Sequence, residues 1–249
     1  MSVRKLQQRR GWAFAVIVVL VKPVLLVLTR RRWIDGENIP ATGGCVVVVN
    51  HLSHVDPLTA AHLVYDHGRI PRYLAKSGLF RTRALGFFLR AAGQIPVERA
   101  TSSAVGAYAA AVDAVRAGEC VVVYPEGTIT RDPDLWPMTG KSGAARIALT
   151  TGCPVVPVGQ WGPQDLLAPY SHKPSLLPRT LVTMKVGRPL DLAHLADGPV
   201  TARRVALATD QVMDAITGLV ADIRGEQPPA ERYDLRRHRA EQTREDGAS

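Results

Sequence analysis

The segment Val46-Val47-Val48-Val49-Asn50-His51-Leu52-Ser53-His54-Val55-Asp56-Pro57 joins a structural signal to a chemical one. Four consecutive valines read as a buried β-strand, and the Asx and Pro residues that follow read as its end. A histidine and a carboxylate on the loop leaving such a strand suit general-base chemistry. A carboxylate held against one ring nitrogen fixes the tautomer and raises the basicity of the other. Asp56-Pro57 is equally a good helix start, with Asp as N-cap and Pro at the first helical position. The two readings are compatible, because a carboxylate has two oxygens. His51, His54 and Asp56 also form a possible metal set, but no second ligand cluster with recognisable spacing accompanies it, so no metal is expected.

Outward from this segment, strands and helices alternate. Ile34 to Pro40 reads as a short strand and turn, Pro57 to Asp66 as a helix, and Tyr73 to Ala75 as a short strand. Arg83 to Ala92 is predicted helical. Ser103 to Ala117 carries Val105, Tyr108, Ala109, Val112 and Val115 on one helical face, with Gly118 as its stop. Cys120 to Tyr124 is a second buried strand, Lys141 to Thr150 a small-residue helix, Val155 to Val158 a third strand and Leu181 to Val186 a fourth. Thr201 to Ile223 is a helix with an apolar stripe. This order predicts an α/β fold with a mixed, partly parallel sheet flanked by helices.

At 249 residues there is room for one sizeable core and an appended segment or tail. The net charge of +9 is concentrated at the N-terminus. Of the 31 lysines and arginines, eight (Arg4, Lys5, Arg9, Arg10, Lys22, Arg30, Arg31, Arg32) precede the first acid, Asp35, leaving 23 against 22 acidic residues. The remainder is near neutral and lacks a nucleic-acid signature with interleaved aromatics, so no nucleic-acid partner is expected.

Between those charges, Trp12 to Leu28 is apolar except for Lys22, which precedes Pro23. As a helix it would measure about 25 Å, short of a ~30 Å hydrocarbon core. The favoured expectation is a hairpin kinked at Pro23 and dipped into one leaflet, with the arginines on anionic headgroups. A buried core helix and a single tilted span are the alternatives. Arg30 to Arg32 and the lack of a small-residue cleavage site argue against a signal peptide. Residues 1–32 are thus expected to be a basic, apolar membrane-associating segment, 33–224 an α/β catalytic domain and 225–249 a disordered tail in which apolar content collapses. Cys45, Cys120 and Cys153 sit in or beside apolar runs and suggest buried thiols in a reducing compartment.

Two further segments carry polar groups at strand ends. Gly93-Gln94-Ile95-Pro96-Val97-Glu98-Arg99 sets an arginine after a short apolar stretch, where it can fork two phosphate oxygens or simply lie solvated. Tyr124-Pro125-Glu126-Gly127-Thr128 leaves the second buried strand through a glycine turn that lets backbone approach a ligand. Alone, it is an ordinary turn.

Taken in order, Asn50-His51 to Asp56, Gly93 to Arg99, Pro125 to Thr128 and Val155 to Val158 resemble the four sequence blocks of the glycerolipid acyltransferases, of the bacterial 1-acylglycerol-3-phosphate acyltransferase type. The resemblance spans roughly Trp33 to Leu190. It implies that His51 is the base, Asp56 its partner and Arg99 a contact to acceptor phosphate. Glu126, Gly127 and Thr128 would shape the acceptor site, with Lys76 and Lys141 as nearby basic residues. One departure stands out: the family continues Glu-Gly-Thr with Arg-Ser, whereas Ile129-Thr130 follow here, with Arg131 two positions later. Either Arg131 replaces the missing arginine or the acceptor headgroup differs.

The activity implied is transfer of a fatty acyl group from acyl-CoA or acyl carrier protein to a lysophospholipid at the cytoplasmic face of the cell membrane, with no metal or tightly bound cofactor. No Gly-x-Ser-x-Gly elbow is present, which disfavours an acyl-serine route. Backbone N–H groups around Gly127 are candidate oxyanion donors. Rivals are the same chemistry on glycerol phosphate, another lysophospholipid or a glycolipid, and a non-catalytic lipid-binding protein of the same fold.

Overall fold

The computed structural model describes residues 4–6, 8, 11–97 and 103–246. Helix α1 (Trp12–Leu28) runs directly into strand β1 (Thr29–Ile34), and a 3-10 turn at Gly36–Asn38 leads to β2 (Cys45–Val49). Then come α2 (Asp56–Asp66), β3 (Pro71–Lys76), α3 (Arg83–Ala91), β4 (Ile95–Val97), α4 (Ser103–Arg116) and β5 (Cys120–Val123). The second half holds α5 (Gly143–Thr151), β6 (Val155–Trp161), the short α6 (Pro163–Leu166), β7 (Thr180–Val186), the short α7 (Ala193–Ala196), α8 (Ala202–Arg224) and α9 (Leu235–Asp246).

One seven-stranded sheet takes the order β1-β7-β6-β2-β5-β3-β4. Strands β2 to β6 are parallel to one another, whereas β7 runs antiparallel to β6 and carries β1 parallel to itself. The mixed, partly parallel sheet flanked by helices is therefore the observed fold.

Burial explains the valine run. Val46 and Val48 face a core with Val121, Val123 and the apolar sides of α4, α5 and α8. Val47 and Val49 face the opposite core, with Leu63 and Val64 of α2 and with Val122. A strand covered on both sides has no polar face to alternate with. Each fully buried valine contributes about 1.5–3 kcal/mol relative to exposure. The same register leaves Cys45 beside Cys120, both buried as free thiols.

The N-terminal segment departs from expectation. Helix α1 passes unbroken through Pro23 and no hairpin forms. Its C-terminal continuation is committed to the sheet as β1, leaving no chain for a second arm. Ala13, Phe14 and Leu25 are buried against the domain. Lys22 is bonded at 2.7 Å to the buried Asp66, which also accepts from Arg31 at 2.8 Å and from the Trp33 indole at 3.1 Å. Among the described residues, no helix is long and apolar enough to cross a membrane.

The expected boundary between residues 32 and 33 falls inside β1. Here Arg30 to Arg32 pair with Leu181 to Thr183 as an edge strand. The C-terminal segment also differs from the expected disorder. The Thr139 N–H donates to the Tyr233 carbonyl at 3.0 Å, and α9 follows.

Candidate functional site

The parallel order turns the C-terminal ends of β2 and β5, neighbours in the sheet, toward the same edge. The loop after β2 leads from His51 to Asp56, and the one after β5 carries Glu126, Gly127, Thr128 and Lys141. His51 Nδ1 lies 2.8 Å from Asp56 Oδ2, and the same oxygen accepts the N–H groups of Leu52 at 2.5 Å and Ser53 at 2.9 Å. Asp56 is fully buried, whereas His51 keeps 17% of its side chain exposed. With Nδ1 taken, Nε2 is the ring nitrogen left for a substrate proton.

Asp56 is not the helix N-cap. Val55 occupies that position, and no side chain caps the helix. The carboxylate instead folds the His51–Ser53 loop around itself, which accounts for the spacing of five residues between base and partner. Burial pushes the Asp56 carboxyl above its ordinary value, while the bonds from His51, Ser53 and Leu52 pull it back.

Glu126 braces the two loops. It is 3% exposed, and its Oε1 accepts the His51 N–H at 2.8 Å while Oε2 accepts the Met138 N–H at 3.0 Å. Burial pushes its carboxyl up to about 8 despite those two bonds. With both oxygens committed to backbone, Glu126 shapes the site instead of touching a ligand. The Thr130 N–H closes the frame by donating to the His51 carbonyl at 2.8 Å.

Gly127 turns with φ +68, in the left-handed region that favours glycine. A Cβ there would meet Lys141 Nζ at 2.5 Å, so the ammonium of Lys141 lies directly over the turn. The Gly127 N–H is already bonded to the Tyr124 carbonyl at 3.0 Å. It is therefore not an oxyanion donor, which leaves the N–H groups of Thr128 and Ile129 from that turn as candidates. Lys76 ends β3 in register with Val97 of β4. Arg99 lies outside the described residues.

Several contacts that place the loops were not anticipated from sequence. Asn50 and Gln160 clasp β2 to β6. Asn50 Nδ2 donates to the Gln160 carbonyl at 3.1 Å, the Gln160 N–H donates to Asn50 Oδ1 at 2.8 Å, and Gln160 Nε2 donates to the Asn50 carbonyl at 2.6 Å. Ser53 Oγ donates to the Leu167 carbonyl at 2.6 Å, and the Tyr170 hydroxyl donates to the Ile129 carbonyl at 2.6 Å, drawing the segment after α6 over the site. The Arg131 guanidinium lies 3.7 Å over the Tyr170 ring. Arg224 sits between the rings of Trp136 and Trp161, at 4.1 and 4.3 Å, and steadies the loop that carries Met138. The signal for these contacts was weak, since each partner is far away in the chain.

Fold and dyad together define an α/β protein equipped for general-base chemistry. The family model described as Acyltransferase matches residues 30–161, more than half of the sequence, and the chain belongs to that family. The 1-acyl-sn-glycerol-3-phosphate acyltransferase of Bacillus subtilis (strain 168) is 29% identical over 185 residues, covering 74% of this chain and 85% of that protein. The chloroplastic 1-acyl-sn-glycerol-3-phosphate acyltransferase BAT2 of Brassica napus is 34% identical over 128 residues, 51% of this chain. The match spans only 36% of the Brassica protein's length. The crystal structure of the 1-acyl-sn-glycerophosphate (LPA) acyltransferase PlsC from Thermotoga maritima shares the fold, with a TM-score of 0.62 at 21% identity over 88% of this chain and 83% of that one.

Proposed function

We propose that this protein is an O-acyltransferase that moves a fatty acyl group from an acyl thioester, on CoA or acyl carrier protein, to the free hydroxyl of 1-acylglycerol-3-phosphate, giving phosphatidic acid. The observation that carries the reading is the His51–Asp56 pair at 2.8 Å within the family-matched region.

The chemistry follows from the pair. His51 Nε2 accepts the hydroxyl proton as the oxygen attacks the thioester carbonyl, forming the C–O bond. Asp56 stabilises the resulting imidazolium. Collapse of the tetrahedral intermediate breaks the C–S bond, and the proton on His51 passes to the departing thiolate. The scheme needs no metal and no tightly bound cofactor.

For the acceptor, the Lys141 ammonium supplies positive charge over the Gly127 turn, and the family resemblance adds Arg99 and Lys76 as basic residues of the acceptor site. Arg131 takes the part of the arginine absent after Thr128. Its planar guanidinium is pre-oriented on Tyr170, and it follows Thr130, whose N–H is bonded to His51. The Ile129-Thr130 departure favours a second reading, the same transfer onto another acceptor such as glycerol phosphate, a different lysophospholipid or a glycolipid. A transfer assay read by mass spectrometry, with a panel of acceptors and both donor types, decides between them. No acyl product from any acceptor would reduce the protein to a lipid binder.

Membrane association at the cytoplasmic face belongs to this reading. Val19, Leu20 and Val27 of α1 are exposed by 69, 64 and 68%, and the Trp12 ring lies tilted beside the exposed Phe87 of α3 at 6.0 Å. These side chains form one apolar surface suited to lying in an interface. Because β1 is a strand of the sheet, deleting residues 1–32 would damage the fold. The appropriate test is the Val19→Ser, Leu20→Ser, Val27→Ser triple variant. It should remain folded and lose most binding to anionic vesicles in a sedimentation assay. Undiminished binding would place the contact elsewhere.

A further inference from the structure

The His51 ring is held on one edge by Asp56, and one face is covered by an aromatic column. The Tyr124 ring stacks on the imidazole with centroids 4.4 Å apart and planes 28° from parallel. Tyr73 continues the stack onto Tyr124 at 6.4 Å and 10°. The Tyr73 hydroxyl then donates to the Pro57 carbonyl at 2.8 Å. Pro57 follows Asp56 at the start of α2, so the column closes a circuit. Asp56 grips His51, His51 lies on Tyr124, Tyr124 lies on Tyr73, and Tyr73 is tied back to the residue after Asp56.

The Tyr124 hydroxyl is buried and has no hydrogen-bond partner among the described residues. Burial pushes both phenols well above their ordinary value, so both rings are neutral. Nothing in this arrangement uses the Tyr124 oxygen. What the site uses is the ring face, which is electron-rich and attracts a cation placed over it within about 6 Å. His51 is neutral before it accepts the hydroxyl proton and cationic afterwards.

From this geometry we infer that Tyr124 is a positioning residue for the base. Its ring face holds the imidazole in plane with Asp56 and stabilises the imidazolium formed during transfer, with Tyr73 backing the stack. The inference rests on the acyltransferase reading for its catalytic consequence, but the ring contact itself does not depend on it. Among the described residues, the titratable groups that contact His51 include Asp56 at Nδ1, Tyr124 at the ring face and Glu126 at the backbone N–H.

The test compares the full-length protein with Tyr124→Leu, which removes the ring, and Tyr124→Phe, which restores it without the hydroxyl. Protonation of the His51 ring is followed by nitrogen-detected NMR of the imidazole, a readout independent of turnover. A cation–π contact of the ordinary size predicts that Tyr124→Leu needs about 2- to 30-fold more proton to charge the ring, and that Tyr124→Phe restores the native midpoint. In the transfer assay, Tyr124→Leu should lower kcat by a similar factor with acceptor KM little changed, and Phe should rescue it. If Tyr124→Leu does not fold, Tyr124→Met, of similar reach, takes its place. A folded variant without the ring whose His51 charges at the native pH would overturn the inference. A wild-type protein without transferase activity would instead sink the functional reading while leaving the NMR result to decide this one.

Discussion

Helix α2 carries a buried aspartate at each end, and the two behave oppositely. Asp56 at its first residue is raised above the ordinary carboxyl value, whereas Asp66 at its last is lowered. Both are taken out of water, at 0% and 2% exposure. The difference lies in the donors. Asp56 is met by two neutral backbone N–H groups and by an imidazole that, in the proposed reaction, serves as a base in its neutral form. Burial also pushes Asp66 up, but the Lys22 ammonium, the Trp33 indole and the neighbouring charges outweigh it. A carboxylate already neutralised by cations is structural cement. One surrounded by neutral donors retains the capacity to gain from a positive charge that arises beside it, which is what His51 becomes when it takes a proton.

The largest effect should come from the neutral-donor end. His51→Ala should lower transfer by about 10²–10⁴-fold with the fold intact, and Asp56→Asn should lose a comparable amount, because the amide cannot stabilise an imidazolium. Turnover measured beside circular dichroism checks both. Near-native activity in folded His51→Ala would remove the base from the mechanism.

At the other end the same kind of change should act on stability. Asp66→Asn uncouples α1 and β1 from α2. Breaking a buried pair costs about 3–5 kcal/mol, but Lys22 and Arg31 are each more than a quarter exposed, so about 2–4 kcal/mol is expected. Denaturant titration gives the value, and kcat per folded molecule should change far less than for Asp56→Asn. The sign with pH is fixed by the lowered carboxyl. Asp66 stabilises fully above its unfolded value of about 3.9, and this contribution is lost as pH falls through its folded value.

How much of this could be read from the chain follows from distance in sequence. His51 and Asp56 are five residues apart on a loop that folds around the carboxylate, so the pair was legible. So were β2 and β5, as unbroken β-branched runs, and α8, as a 3.6-residue stripe. Strand β1 was not, because Arg30-Arg31-Arg32 resembles a solvated charge run. In the sheet it is an edge strand, and Arg31 donates to Asp66, 35 residues away. The partners of Asp66 were hidden for the same reason. Glu126 was legible as a polar residue of the turn after β5, but its role as a brace depends on N–H groups 75 and 12 residues distant. The helical tail after Gly225 runs against a composition that cannot bury much surface.

Glu126 sharpens the comparison as a third buried carboxyl without cations. Its folded value of about 8 lies above the unfolded value of about 4.3, so the folded protein binds the extra proton between them. Stability should therefore fall as pH rises across that window, by up to about 1.4 kcal/mol per pH unit from this group. Glu126→Gln removes the titration and should flatten the slope between pH 5 and 8. It also adds a constant cost of about 1–3 kcal/mol, because the amide NH₂ faces one of two backbone N–H donors. Denaturation midpoints across pH separate slope from offset, and an unchanged slope would show that Glu126 stays ionised.

The smallest effects should come from Arg131 and Arg99, which on the proposed reading meet the acceptor only in the complex. Arg131 is exposed, and its guanidinium is held flat by Tyr170 instead of by an acid. A charge-assisted contact of this kind contributes about 1.5–3 kcal/mol at most, less where water screens it. Arg131→Ala should therefore raise acceptor KM by roughly 3- to 30-fold and leave kcat and donor KM near native. Arg99→Ala should act in the same direction, with lysine restoring only part of the loss at either position because it cannot make a bidentate pair. Running both alanine variants against phosphate-headed and phosphate-free acceptors separates charge recognition from a general loosening of the loop. If the KM penalty is equal for both acceptor classes, neither arginine reads the headgroup phosphate.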